Sequence, residues 1–247
     1  QNPADQRMMG DFAELTADAY GISRADQDAF AIASVERALA AAAAGRFARE
    51  IVPVEVATRP ETTVVDTDEE PPRCRIDKIP SMRPAFRRDG GTVTAASSSS
   101  ISDGAAAVVL MRESEARRRG IRPLARVLGH GGHAQAPEWF TTAPVKAIEG
   151  LQTRLGWTND DVQCFEINEA FAVVTMAAMH DLRLDHARVN VNGGACALGH
   201  PIGATGARIT TTLVHALHQD RAGSGRGIAS LCLGGGEAVA IAVERID

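Results

Sequence analysis

The chain has 247 residues, of which 45% are hydrophobic and 23% charged, so a wholly disordered or collagen-like protein is excluded. The 26 Lys and Arg residues against 31 Asp and Glu give a formal charge of −5, which disfavours nucleic acid as a partner. No apolar run reaches the roughly 20 residues that span a bilayer, so we expect no membrane association. The four cysteines form no CxxC pair, which argues against a zinc ribbon or disulfide scaffold and favours a cytoplasmic location.

The first hundred residues predict two helices followed by irregular chain. Apolar residues at helical spacing indicate a helix over 8–20, and a second helix is predicted over 24–44. Ser23 is the expected N-cap of the second helix, with Asp26 completing a short capping box. A strand over 49–56 is predicted to lie at a sheet edge because it contains Pro53. Residues 57–92 show no clear periodicity and are expected to be loop.

Beyond residue 100 the pattern alternates between strands and helices, which is typical of an α/β fold. The continuous apolar run over 105–111 predicts a buried strand. The other predicted strands are 124–128, 162–167, 188–191, 227–232 and 238–243, and the predicted helices are 113–119, 145–155, 170–180 and 205–218.

Three segments have residues suited to chemistry. Asn168 follows a predicted strand, where α/β folds bind ligands, although an N-cap role would also explain it. His200 stands between Gly199 and Pro201, and the proline restricts its backbone to an extended geometry that can direct the imidazole into a site. The glycines around it match neither a dinucleotide loop nor a P-loop, and the histidine could equally be structural. Cys232 precedes Gly234 to Gly236, whose exposed N–H groups suit an oxyanion, or simply a tight hairpin.

Taken together, the segments Asn168 to Phe171, Gly199 to Pro201 and Cys232 to Gly236 resemble motifs of the thiolase family. The resemblance extends over essentially the whole chain and includes residues 23–30, 91–94, 103–107 and 190–194. It implies a layered αβαβα fold in which the C-terminal core domain is complete and the N-terminal core domain only partial. We expect residues 1–100 to belong to the loop-domain portion of the N-terminal half, 101–120 to be the last strand and helix of the N-terminal core, and 121–247 to be the C-terminal core domain.

By this resemblance the protein transfers acyl groups between a cysteine and coenzyme A and forms or cleaves 3-ketoacyl-CoA by Claisen chemistry. The resemblance gives His200 the role of the base that activates the nucleophilic cysteine, and Cys232 that of the second cysteine, which moves the proton at the α-carbon. Asn168 is expected to hold a water that forms an oxyanion hole with His200. The N–H of Gly234 is expected to serve a second oxyanion hole.

The resemblance also assigns substrate contacts. Ser99 matches a serine that contacts the pantetheine arm, although four consecutive serines, residues 97–100, could be a flexible surface run. Phe86, Ala170 and Phe171 match positions around the substrate tunnel. Residues 139–144 depart from the family's usual Met-Gly-x-Gly-Pro loop, and Met8 replaces a histidine of short-chain biosynthetic members, so the acyl-chain preference is left open.

The resemblance further implies that no metal or tightly bound cofactor is needed, with coenzyme A and acyl-CoA as substrates. A homodimer or homotetramer with a role in fatty acid metabolism is expected.

The family's nucleophilic cysteine has no counterpart among Cys74, Cys164, Cys196 and Cys232. The chain also begins with Gln1 rather than Met, which suggests a clipped or processed start. We therefore expect this chain alone to be inactive and to need an N-terminal thiolase half as partner. The alternative is a fragment that binds coenzyme A thioesters or another protein without turnover.

Overall fold

The computed structural model describes residues 7–58 and 61–247, so Gln1 lies outside the described residues. Helix α1 spans Met9–Tyr20 and helix α2 spans Arg24–Ala43, which confirms the two predicted helices. The Ser23 side chain accepts a hydrogen bond from the Asp26 N–H, and the Asp26 carboxylate accepts one from the Ser23 N–H. This reciprocal pair satisfies two backbone N–H donors at the start of α2 and fixes its first turn.

Two short strands follow, β1 (Val54–Thr58) and β2 (Glu61–Val65), and they pair antiparallel with each other only. The prediction of a strand over 49–56 was therefore correct in kind but displaced toward the C-terminus. The second strand was missed because an exposed hairpin has no buried face to produce an alternating pattern. Helix α3 (Glu70–Arg73) and a 3₁₀ helix over Ile76–Ser81 complete this region.

The second half of the chain forms one four-stranded sheet of order β3-β6-β5-β4. Strand β4 runs parallel to β5, while β6 is antiparallel to both β5 and β3. The strands are β3 (Ala125–Ala134), β4 (Cys164–Ile167), β5 (Arg226–Leu233) and β6 (Glu237–Arg245). The helices are α4 (Glu113–Arg118), α5 (Ala143–Leu155), α6 (Ala172–Leu182), α7 (Ala195–Leu198) and α8 (Thr205–Gln219).

Alternate residues of the strands face opposite layers of helices. Phe165 and Ile228 pack on the side of α5 and α6, whereas Ala229 and Val243 pack against Leu213 of α8. Full burial of a leucine or phenylalanine side chain contributes about 2 kcal/mol to the free energy of folding, because its apolar surface is removed from water. The sheet is thus covered by α5 and α6 on one face and by α8 on the other, as the α/β prediction requires. On the α8 side, Val127 and Val239 of β3 and β6 remain partly exposed. Among the described residues, no helix has the length and apolarity that a membrane span needs.

Two predicted strands were wrong. Residues 105–111 lie outside every strand, and Val109 and Leu110 are 84% and 73% exposed. No described strand pairs with this run, so its backbone forms no ladder and its apolar side chains remain in solvent.

The strand predicted over 188–191 is reduced to a single bridge between Val189 and Phe165, because Asn190 adopts a left-handed backbone with φ of 49°. The Asn190 side-chain amide then replaces the ladder, accepting from the Ile167 N–H and donating to the Ile167 carbonyl, both at 2.8 Å.

Candidate active site

Asn168 and Cys232 lie at the same edge of the sheet, where β4 and β5 end. Ile167 is paired with Ser230 in the parallel register, and the Asn168 N–H extends the pairing by donating to the Ser230 carbonyl at 3.0 Å. Cys232 follows two residues later on β5. The carboxyl ends of parallel strands are where α/β sheets bind ligands, so two of the predicted site residues occupy that position.

The side-chain amide of Asn168 is buried without a partner. The residue is 1% exposed, and neither its Oδ1 nor its Nδ2 forms a hydrogen bond within the described structure. The N-cap alternative is wrong, because α6 begins at Ala172 and Phe171 occupies the cap position. An unsatisfied buried polar group costs about 1–3 kcal/mol, so this amide is arranged to receive a water or a ligand.

Cys232 belongs to a mainly apolar cluster. The cluster comprises Phe12, Ala13, Ala17, Val93, Phe140, Phe171, Val173, Val174 and Cys232, with Met9, Ile22, Phe86 and Ala170 packed against it. Phe86 meets Phe171 edge to face, with ring centroids 5.9 Å apart. Burial raises the pKa of the Cys232 thiol to about 12, so the group stays protonated at neutral pH. The predicted residues Phe86, Ala170 and Phe171 are therefore brought together with Cys232.

Gly234 lies in the turn between β5 and β6, beside the first residue of α1. A Cβ atom at this glycine would lie 3.3 Å from the Cε of Met9. In the described part of the chain, no backbone hydrogen bond of this turn uses the Gly234 N–H. That N–H is consequently free for a ligand oxygen, as an oxyanion hole requires.

His200 is held at both its backbone and its ring. Its N–H donates to the Ser100 carbonyl at 3.0 Å, and its Nδ1 lies 2.6 Å from the Thr205 hydroxyl. Burial, together with the positive charge of Arg208, lowers the pKa of the imidazole below its ordinary value of 6.5. The ring is therefore neutral at physiological pH and can accept a proton.

The serine segment is fixed against the turn that follows Asn168. Both the N–H and the hydroxyl of Ser99 donate to the Ala170 carbonyl, at 3.1 and 3.0 Å. Ser98 forms a bridge with Phe171, and the Ser97 carbonyl accepts from the Ala172 N–H at 2.8 Å. The flexible-run alternative is therefore wrong. Since the Ser99 hydroxyl donates its proton internally, only its lone pairs remain for a ligand.

Sequence reasoning missed the scaffold that holds these residues. The buried carboxylate of Glu169 accepts from the Ser34 hydroxyl at 2.7 Å, the Asn190 amide at 2.8 Å and the Cys196 N–H at 3.0 Å. A Cβ at Gly194 would lie within 2.3 Å of this carboxylate, so only glycine fits there. The signals were present in the Asn-Glu-Ala-Phe and Asn-Val-Asn-Gly-Gly motifs, but their pairing is visible only in three dimensions.

A second buried carboxylate, Glu166, faces α8 rather than this edge. Its Oε2 lies 3.9 Å from Nη1 of Arg208, and burial raises its pKa to about 8. The pKa of Glu50 is likewise raised, to about 7, mainly by burial. Neither carboxylate contacts Cys232 or His200 through a described hydrogen bond.

None of the four cysteines is activated as a nucleophile. Burial raises the pKa of Cys74, Cys164 and Cys196 above the ordinary thiol value, as it does for Cys232. A nucleophilic cysteine needs a lowered pKa or an adjacent base. At the carboxyl edge of the sheet the structure places the unpartnered Asn168 amide and the protonated Cys232 thiol, with the free Gly234 N–H in the turn that follows β5. His200 adds a neutral imidazole, but no described hydrogen bond joins it to these three residues. The four groups are of the kinds that suit acid–base chemistry on an oxyanion.

Comparison with known proteins relates this arrangement to one family. Residues 121–245 match the family model "Thiolase, C-terminal domain", and residues 2–114 match "Thiolase, N-terminal domain". The acetyl-CoA acetyltransferase of Allochromatium vinosum is 45% identical over 240 residues, and the cytosolic acetyl-CoA acetyltransferase of Mus musculus is 46% identical over 239 residues. Each alignment covers 96% of this chain but only 60% of the relative.

Solved structures show the same relationship. The crystal structure of the Bacillus anthracis acetyl-CoA acetyltransferase superposes with a TM-score of 0.95 at 41% identity, covering 100% of this chain and 62% of the other. A thiolase from Ascaris suum in complex with coenzyme A superposes with a TM-score of 0.90 at 39% identity, with the same coverage. The chain thus spans about 60% of the length of these relatives, and the predicted thiolase-like fold, partial in length, is confirmed. The family models and the shared fold together establish that this chain belongs to the thiolase family.

Proposed function

We propose that the chain supplies the acid–base half of a thiolase-type acyltransferase, which cleaves or forms 3-ketoacyl-CoA. In the cleavage direction, a cysteine thiolate attacks the 3-keto carbon, the bond between the α-carbon and that carbon breaks, and the acyl group remains on the cysteine. The released enolate takes a proton to become acetyl-CoA, and the thiol of coenzyme A then accepts the acyl group. The observation that carries this proposal is that the unpartnered Asn168 amide and the protonated Cys232 thiol lie at the same carboxyl edge of the sheet, in a chain of this family.

Each residue has a role that its environment supports. His200, being neutral, accepts the proton of the attacking thiol. Cys232, being protonated, donates a proton to the enolate carbon. Asn168 holds a water that, with His200, stabilises negative charge on the thioester oxygen, and the Gly234 N–H stabilises charge on the keto oxygen.

Coenzyme A and acyl-CoA are the proposed substrates, and no metal or tightly bound cofactor takes part. In this proposal the Ser99 lone pairs accept a hydrogen bond from an amide of the pantetheine arm. Phe86, Ala170 and Phe171 form the wall of the channel through which the arm reaches Cys232. The apolar surroundings of the thiol exclude water, which would otherwise protonate the enolate and hydrolyse the thioester.

The nucleophile is proposed to come from a part of the thiolase fold outside these 247 residues. Residues 107–111 expose apolar side chains beside α8 and line a cavity of about 780 Å³. Such a run is suited to pair as a strand with an N-terminal thiolase half, which would bury it. Accordingly, we assign 1–100 to the loop-domain portion, 101–120 to the last strand and helix of the N-terminal core, and 121–247 to the C-terminal core.

A homodimer or homotetramer, a cytoplasmic location and a role in fatty acid metabolism are the remaining parts of the proposal. The location is supported by the four free cysteines, Cys74, Cys164, Cys196 and Cys232. The relative from Mus musculus is described as cytosolic.

Thiolysis of acetoacetyl-CoA by the complete gene product tests the proposal. Cys232→Ala is expected to reduce turnover about a hundredfold or more, because general acid–base groups contribute on that order. Cys74→Ala is the matched control, since Cys74 packs against a separate cluster of Val35, Ala38 and Ala197, and it should leave turnover unchanged.

Near-normal turnover in the Cys232→Ala protein would contradict the assigned role. The chain is instead a binding fragment if three results are found together. Mass spectrometry shows only the 247-residue species, calorimetry shows that it binds coenzyme A, and no thiolysis is detected.

A further inference from the structure

The hydroxyl of Thr205 lies between the His200 ring and a backbone carbonyl. Thr205 is the first residue of α8 and is fully buried. Its Oγ1 lies 2.6 Å from Nδ1 of His200 and 3.0 Å from the carbonyl oxygen of Pro201. A neutral imidazole carries one N–H and one lone pair, and a hydroxyl has a single proton to donate. The positions of these two protons determine which ring nitrogen is basic.

Two proton arrangements are possible, and they differ by one hydrogen bond. If Nδ1 carries the proton, it donates to Oγ1 while the Thr205 hydroxyl donates to the Pro201 carbonyl, and both short contacts are hydrogen bonds. If Nε2 carries the proton, the hydroxyl must turn to donate to Nδ1, and its bond to Pro201 is lost. Because the Pro201 carbonyl accepts two backbone N–H groups as well as the hydroxyl, this additional hydrogen bond favours the first arrangement by no more than about fivefold.

The surroundings reinforce this choice. Among the described contacts, the His200 ring forms its hydrogen bond through Nδ1 and none through Nε2, so no protein acceptor holds a proton on Nε2. The backbone is held as well, because the Pro201 carbonyl also accepts from the N–H groups of Ala204 at 2.7 Å and Thr205 at 2.9 Å. The carbonyl that receives the hydroxyl is therefore fixed by the first turn of α8.

We infer that Thr205 is a positioning residue that keeps the proton of His200 on Nδ1, so that Nε2 is the atom that accepts a proton from a thiol. The inference rests on the proposed function, in which His200 is the base. When the thiol ionises, its S–H bond breaks and an N–H bond forms at Nε2, giving a thiolate and an imidazolium. The imidazolium retains the hydrogen bond from Nδ1–H to Thr205, so no reorganisation of the ring is needed.

Nitrogen-15 NMR of the chain measures the tautomer directly, because protonated and unprotonated ring nitrogens have well-separated shifts. His200→Gln identifies the signal among the seven histidines. The wild type is expected to show a proton on Nδ1. Thr205→Val, which keeps the shape but removes the hydroxyl, should reverse the preference toward Nε2, whereas Thr205→Ser should retain it.

A wild-type ring protonated on Nε2, or an unchanged tautomer in Thr205→Val, would overturn the inference. The wild-type spectrum alone decides the matter if the valine variant fails to fold. Because this readout does not depend on turnover, the tautomer can be established even if the complete gene product proves inactive. In an active product, Thr205→Val should lower kcat more than it changes KM and shift the acidic limb of the pH profile, and Thr205→Ser should restore both.

Discussion

The carboxylate of Glu169 accepts a hydrogen bond from the Ser34 hydroxyl at 2.7 Å, which ties helix α2 to the turn that carries Asn168. Ser34 in turn accepts from the Gly194 N–H at 3.0 Å, so the same contact reaches the glycine-rich segment before His200. Ser34, in the N-terminal region, therefore helps to position both the turn that carries Asn168 and the glycine-rich segment that precedes His200. The stability of the site depends on this buried side chain and the groups that donate hydrogen bonds to it.

Glu169→Gln is expected to destabilise the protein by about 3 kcal/mol. The glutamine would direct NH₂ hydrogens toward donors that now share the carboxylate, and would leave at least one buried donor without an acceptor. Urea unfolding followed by circular dichroism measures the change. Glu149→Gln on the exposed face of α5 is the control and should change stability by less than about 0.5 kcal/mol. Equal stabilities for the two variants would contradict the structural role of Glu169.

Asn190 is expected to tolerate glycine better than alanine. Both changes remove the side-chain bonds to Ile167, but the φ of 49° strains alanine and not glycine. We expect Asn190→Ala to be less stable than Asn190→Gly by about 1 kcal/mol, with both below the wild type. Thermal unfolding gives the order. An alanine variant as stable as the glycine variant would show that the left-handed conformation is not maintained in solution.

Local sequence patterns located the helices and the carboxyl edge of the sheet. Helix α2 is set by its capping box and by Gly45, and Asn168 and Cys232 each follow an apolar strand, so their common edge follows from strand direction alone. The buried state of the Cys232 thiol also follows from its place between apolar residues. These features depend on residues close together in sequence, which is why they were predictable.

The wrong predictions share a dependence on distant partners. Residues 105–111 have the composition of a buried strand, but burial requires a neighbouring strand that no described residue provides. At Asn190 a side chain replaces the backbone ladder, which an apolar pattern over 188–191 does not reveal. The contact between His200 and Thr205 depends on where α8 begins, and element boundaries are the least predictable feature of a sequence.

The four thiols are expected to react slowly with Ellman's reagent at pH 7.5. Burial raises the pKa of each, so little thiolate is present in the folded chain. Four equivalents should react rapidly in guanidinium chloride and none rapidly under native conditions. The Cys232→Ala chain should have one slowly reacting thiol fewer than the wild type, with no change in the amount of reagent consumed at early times. One fast native equivalent would reveal an activated nucleophile within this chain and would remove the need for a partner half.

Val109→Lys is expected to lower self-association of the isolated chain without changing its stability by more than about 0.5 kcal/mol. The side chain is 84% exposed in an apolar run, so a charge there costs little in the folded state and disrupts edge-to-edge pairing. Light scattering and binding of a hydrophobic dye measure the effect. Val243→Lys places the same charge at a fully buried position of β6 and serves as the comparison, because it should unfold the protein. A large loss of stability in Val109→Lys would show that this run is buried in the isolated chain.

The unfolding free energy is expected to fall between about pH 4.5 and pH 8 because of Glu166. Its carboxyl has an ordinary pKa of 4.5 in the unfolded chain and a pKa of about 8 when buried opposite Arg208. Over this range the folded state holds a proton that the unfolded state has released, so stability is retained at low pH and lost as the pH rises through the folded pKa. A single proton gives at most about 1.4 kcal/mol per pH unit.

Glu166→Gln removes this titration while keeping the shape of the side chain, so its stability should depend less steeply on pH than that of the wild type. Glu50, whose pKa is raised to about 7, contributes a slope of the same sign, and Glu166→Gln should therefore flatten the curve without abolishing its fall. The exposed Glu237→Gln variant is the control and should keep the wild-type slope. Parallel curves for Glu166→Gln and the wild type, from urea unfolding at several pH values, would mean that Glu166 is ionised in the fold and paired with Arg208 throughout.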